Sequence, residues 1–210
     1  MKQNGKLVQV VVFAVAFAFV ESAVVAYLRA IYYPDGFSFP LRILTSSHVS
    51  VELSREFATI VMLVLVGLLA GTSRWQKFSF FLIAFGVWDI FYYVWLKVIL
   101  GWPATLFDWD ILFLIPLPWI GPVIAPFLIS IIMITGGILI IRKEERERQF
   151  HPPLSAWLIS CFASILVLFT FMMDTKATLH SGLPKPYYYE LFVPALFLYL
   201  LATILAFRRK

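Results

Sequence analysis

The chain has 210 residues, of which 61% are hydrophobic, 18% aromatic and only 14% charged, with a net charge of +5 and a mean hydropathy of +0.89. A water-soluble domain carries roughly 45–50% apolar and about 25% charged residues, so this composition excludes one and predicts an all-α, polytopic transmembrane bundle over residues 1–210. The basic residues gather at the ends of apolar stretches, where they orient a membrane protein, and a nucleic-acid role is excluded.

Six apolar stretches predict six helices, at about 7–33, 48–71, 78–100, 111–141, 154–173 and 190–207, each near or above the roughly 18 residues of a membrane span. The first follows Lys2 and Lys6 and is too long for the apolar core of a secretory signal, so it is read as retained. Ala14, Ala18, Ser22, Ala26 and Ala30 recur every fourth residue along it and form a small-residue face for close helix packing. Pro34-Asp35-Gly36 and Phe39-Pro40 mark a loop. The second helix carries Gly67 and Gly71 in GxxxG spacing, a motif expected here to pack inside the bundle. Arg74 and Lys77 separate it from the third, which holds a lone Asp89 among aromatic residues.

After the Gly101-Trp102-Pro103 turn come Asp108, Trp109 and Asp110, and then a fourth span interrupted by Pro116, Pro118, Gly121, Pro122 and Pro126. It is expected to be proline-broken at its outer end, since non-helical backbone at membrane depth must be buried in protein or line a wet cavity. The charge run 142–148 reads as a solvated helical extension stopped by Pro152 and Pro153. A fifth span, a loop with Asp174, His180, Pro184 and Pro186, and a sixth span follow, ending in Arg208-Arg209-Lys210. Cys161 lies within the fifth span and has no cysteine to pair with.

Placing Lys2, Lys6, Arg74, Lys77, the 142–148 run and the C-terminal triplet on one side predicts both termini in the cytoplasm, in a cell membrane of the bacterial inner-membrane type. The opposite loops hold Tyr32, Tyr33, Trp102, Trp109, Tyr187, Tyr188 and Tyr189, an interfacial belt that names the lipid bilayer as a partner. A homo-oligomer is compatible with this composition.

At about 1.5 Å of rise per residue, Glu56 lies about 10–12 Å below the outer end of its helix, Glu21 about 15–18 Å and Asp89 about 16 Å. Carboxylates at such depth normally face the bundle interior and mark a functional site. The candidate cation- or proton-binding set is Glu21, Glu52, Glu56 and Asp89, supported by Arg55, Tyr92, Tyr93, Asp108 and Asp110. One reading is translocation of a proton, cation or small solute past these carboxylates. A second is a membrane-embedded metal-dependent enzyme, redox or hydrolytic, in which His48, Glu52 and Glu56, at i, i+4, i+8 on one helix face, hold a divalent metal ion. In a third the charges form only structural ion pairs, Arg55 with Glu21 or Asp89 and Arg29 with Glu52, in a structural or assembly protein. The sequence contains no GxSxG, HExxH, CxxC, P-loop or GxGxxG signature, so the chemistries those motifs perform find no support.

Overall fold

A computed structural model of the chain describes residues 2–40, 46–147, 150–175 and 182–208. Among these residues are six helices, α1 (Lys2–Tyr32), α2 (Ser46–Ala70), α3 (Arg74–Leu100), α4 (Ile124–Glu147), α5 (Leu154–Met172) and α6 (Tyr189–Phe207). All six are long and apolar enough to cross a membrane.

The expected fourth span is the one that differs. Its helix begins at Ile124, and the residues before it form a two-stranded antiparallel hairpin, β1 (Trp109–Phe113) and β2 (Trp119–Pro122). Trp109 faces Pro122, Asp110 faces Gly121 and Ile111 faces Ile120, with a register irregularity before Phe113 meets Trp119. Proline explains the difference. Each proline lacks an N–H and crowds the carbonyl four residues earlier, so Pro116, Pro118 and Pro122 together deny a helix its ladder. Both strands of a two-stranded ribbon are edges, where proline is tolerated. Pro126 alone enters α4, in the first turn, where backbone N–H groups have no intrahelical partner.

α3 is the central helix, packed against α1, α2 and α4, while α5 and α6 pair with each other. Ala14, Ala18 and Ser22 on α1 are fully buried, and the Ser22 hydroxyl donates to Ala18 O at 2.7 Å and to Tyr92 O on α3 at 3.0 Å. Trp95 of α3 donates its indole N–H to Val15 O at 3.0 Å. The small-residue face therefore packs on α3, except at Ala30, which is exposed. A Cβ at Gly67 would lie 2.8 Å from Lys77 O, and one at Gly71 only 2.3 Å from Lys77 N, so the GxxxG pair admits the start of α3 inside the bundle. Across the α3–α4 seam, a Cβ on Gly86 would stand 2.7 Å from Ser130 O and one on Gly137 2.8 Å from Ser79 O.

Adjacent glycines make a controlled comparison. Gly136 has open space where its Cβ would go. Gly136→Ala is expected to be neutral or to stabilise by up to about 1 kcal/mol through helix propensity, whereas Gly137→Ala forces α3 and α4 apart and costs about 1–3 kcal/mol. Unfolding midpoints in a common detergent check the ordering.

One end of the bundle gathers the start of α1, the α2–α3 and α4–α5 turns and the end of α6. There Lys6 donates to Ala70 O at 2.8 Å, and Glu144 accepts from the Ser73 hydroxyl and from Phe150 N, both at 2.7 Å. Glu144 is buried, so the charge run is helical as expected to Glu147 but not wholly solvated; Arg148 lies outside the described residues. Large apolar side chains such as Leu69, 83% exposed, and Tyr27, 72% exposed, stand on the periphery, the face that lipid covers. The opposite end carries the hairpin and, beneath it, a cavity.

Candidate functional site

The cavity, about 340 Å³, lies between α1, α2, α3 and β1. Glu21, Glu52, Arg55, Glu56, Asp89, Tyr92, Tyr93 and Asp110 all line it, together with Arg29 and Thr59. Four separate stretches of sequence thus converge on one space, and helix periodicity places their polar residues there. Glu52, Arg55, Glu56 and Thr59 recur at spacings of three and four and share one face of α2. Asp89, Tyr92 and Tyr93 do the same on α3.

Arg55 is the hub. Its Nε and Nη2 donate to Glu52 Oε2 at 3.1 and 2.7 Å, one turn back on the same helix. Its Nη1 reaches across to Glu21 Oε2 on α1, and the Thr59 hydroxyl donates to the other oxygen of Glu21. The ion pair of Arg55 with Glu21 is one that the sequence suggested.

Arg29 pairs otherwise than expected. Its Nη2 donates to Asp110 Oδ1 at 2.8 Å rather than to Glu52. The sequence placed Arg29 near the outer end of α1, but the hairpin that carries Asp110 over it was read as helix. The Arg29 guanidinium carbon lies 4.2 Å from the ring centroid of Phe37 and 3.8 Å from that of Trp102, so two loops and a strand close on one side chain, with cation–π attraction adding to the ion pair.

The two remaining acids are held by neutral donors. Glu56 Oε2 accepts from Leu114 N at 2.8 Å, which ties the hairpin to α2, and Asp89 Oδ2 accepts from the Ser130 hydroxyl on α4 at 2.8 Å. Sequence reasoning missed Thr59, Ser130 and Leu114 N as partners, because single hydroxyls in apolar helices and backbone N–H groups give no pattern to follow.

Asp108 and His48 are not among the lining residues. Asp108 closes the turn before β1, accepting from Ala104 N at 2.7 Å and from the Thr105 hydroxyl at 2.8 Å. Burial alone would raise its pKa, but these hydrogen bonds outweigh burial and hold the carboxyl below its ordinary range. His48 is exposed and shares a hydrogen bond of 2.7 Å with the Tyr32 hydroxyl through Nδ1. The three candidate metal ligands therefore part, His48 to Tyr32, Glu52 to Arg55 and Glu56 to Leu114 N. Among the described residues no three of His, Cys, Asp and Glu are grouped as a metal site requires. In the last loop, Asp174 accepts from Lys185 N, and His180 lies outside the described residues.

Five carboxylates and two guanidiniums line the cavity. Its lining contains no Ser, Cys, His or Lys among the described residues. Comparison of the chain with protein-family models, curated proteins and solved structures gives no match.

Proposed function

We propose that this multi-pass membrane protein binds a cation or proton in the cavity under the hairpin and serves its translocation. The observation that carries the reading is the charge of the lining. Among the described residues of the lining, Glu21, Glu52, Glu56, Asp89 and Asp110 stand against Arg29 and Arg55, and five acids less two guanidiniums leave a surplus of three. Each ionised carboxylate at membrane depth costs about 2.5–3.5 kcal/mol on insertion scales, and mutual repulsion adds to that. Protons or a bound cation remove the cost.

Orientation supports access from outside. Lys6, Arg74, Lys77 and the 142–147 run lie at the end of the bundle away from the hairpin, which the positive-inside rule assigns to the cytoplasm, with both termini there. Tyr32, Tyr33, Trp102 and Trp109 then form the outer aromatic belt. Passage is favoured over catalysis by a hydroxyl nucleophile because Thr59, the aliphatic hydroxyl among the described lining residues, already donates to Glu21.

The test uses the full-length chain in liposomes carrying an inside-negative potential, with radiolabelled tetraethylammonium outside. Saturable, protein-dependent uptake is expected, reduced at least tenfold in the double variant Glu56→Gln, Asp89→Asn. Uptake no greater than in protein-free liposomes would refute translocation of organic cations.

A further inference from the structure

If the cavity takes a cation, its walls narrow the kind. A divalent metal needs several oxygen or nitrogen ligands converging at about 2.0–2.6 Å, and among the described residues no such group exists. A volume of about 340 Å³ falls instead in the range of about 300–1,000 Å³ typical of sites for small organic molecules. Val25 and Leu28 of α1 and Val49 of α2 give the cavity an apolar side, suited to a hydrocarbon chain.

One polar feature is left incomplete by the protein. Arg29 and Asp110 are only 7% and 2% exposed, and both line the cavity. They are joined by a single hydrogen bond, Nη2 to Oδ1 at 2.8 Å, whereas Arg–carboxylate pairs are frequently bidentate. The other half of each group, Arg29 Nη1 and Asp110 Oδ2, completes no hydrogen bond, although the Tyr93 side chain also stands close enough to the Asp110 carboxyl to stabilise its charge. An unsatisfied buried donor or acceptor costs about 1–3 kcal/mol. The joined pair thus leaves one donor and one acceptor open. A hydroxyl, like a water molecule, accepts from the first and donates to the second. Asp89 lines the same cavity as Asp110, so one ligand can present a positive charge to the former and a hydroxyl to the latter.

Resting on the cation-binding reading above, we propose that the ligand is an amino alcohol bearing an apolar chain. Its ammonium lies between Glu56 and Asp89, its hydroxyl completes the Arg29–Asp110 pair, and its chain runs along Val25, Leu28 and Val49. No covalent bond forms or breaks. A lipid headgroup and a free amino alcohol both present this chemistry.

The experiment titrates the full-length protein in phosphatidylcholine nanodiscs, by tryptophan fluorescence, with N-octylethanolamine, octylamine, octanol and ethanolamine. N-octylethanolamine is expected to bind at least tenfold more tightly than octylamine, and octanol to show no saturable binding. That ratio should collapse towards one in Asp110→Asn and in Arg29→Lys, whereas Glu56→Gln should weaken both amines in parallel and keep the ratio. Arg29→Lys retains a cation beside Asp110 and carries the comparison if Asp110→Asn does not fold. Equal affinity for the two octyl amines would overturn the amino alcohol and leave the cation reading standing. Octanol binding as tightly as the amines would overturn both. N-octylethanolamine is also expected to bind more tightly than ethanolamine, and parity of the two would overturn the apolar chain.

Discussion

Arg55→Gln is expected to destabilise the protein by about 3–5 kcal/mol, the cost of leaving buried charge without its partner. Arg55 serves two carboxylates, Glu21 on α1 and Glu52 on α2. Both acids are nearly inaccessible, with side chains 4% and 9% exposed, so removing the guanidinium strands both at once. α1 and α2 make few direct contacts with each other, and this bridge is their main polar connection near the cavity. Neutralising the stranded acids should reverse the loss. The triple variant Glu21→Gln, Glu52→Gln, Arg55→Gln is expected to recover most of it, because a neutral amide cluster carries no unpaired charge. SDS-unfolding midpoints of the single and triple variants, read by circular dichroism, check the pair. A single variant within about 1 kcal/mol of the wild type would mean that the bridge behaves as a hydrated surface pair.

Arg29→Met is the second large effect, again about 3–5 kcal/mol, but with a different rescue. Here the stranded acid is Asp110 alone, 2% exposed, so the single change Asp110→Asn in the Arg29→Met background should restore most of the stability. Methionine keeps an apolar body between the rings of Phe37 and Trp102, which stand 4.2 and 3.8 Å from the guanidinium carbon, and the residual deficit then measures the cation–π share, about 0.5–2 kcal/mol. A double-mutant cycle on the same unfolding assay supplies the coupling energy. Additivity of the two changes would show that Arg29 acts through the aromatic rings and not through Asp110.

Much of this arrangement is written in the sequence, and the parts that are not have identifiable causes. Helix periodicity and hydropathy locate all six helices, because a span in lipid must satisfy its backbone internally and so declares itself by length. The convergence of Glu21, Glu56 and Asp89 on one cavity follows from counting rise along helices of known direction, since depth is the one coordinate a membrane fixes in advance. The hairpin was hidden. Pro118, Pro122 and Pro126 recur every fourth residue and mimic a kinked helix, and the five-residue strand Trp109–Phe113 is too short for its alternation to stand out from an apolar run. That single misreading propagates to Arg29, whose partner Asp110 sits on the first strand, and to Glu56, whose donor is Leu114 N just beyond it. His48 shows the opposite error. Its i, i+4, i+8 spacing with Glu52 and Glu56 puts the three on one helical stripe, but Tyr32 at the end of α1 takes its Nδ1, and no pattern along α2 reveals a neighbour on another helix.

The small residues were easier to read than the charged ones. A Cβ on Gly67 or Gly71 would collide with the backbone of Lys77, and close approach of this kind has one sequence signature, since only glycine leaves the room. A charged residue, by contrast, has as many sequence-compatible partners as there are opposite charges at its depth. Arg29 had Glu52 and Asp110 on offer, and the loop geometry chose.

The central claim is that the surplus of acids in the cavity draws a bound cation. Isothermal titration of tetraethylammonium into the nanodisc-embedded full-length protein, beside the double variant Glu56→Gln, Asp89→Asn, tests it most directly. The account predicts saturable binding at one site per chain, weakened at least tenfold in the variant, in which the two acids without a guanidinium partner are neutral. Absence of saturable heat in the wild type, or equal affinity in the two proteins, would contradict it.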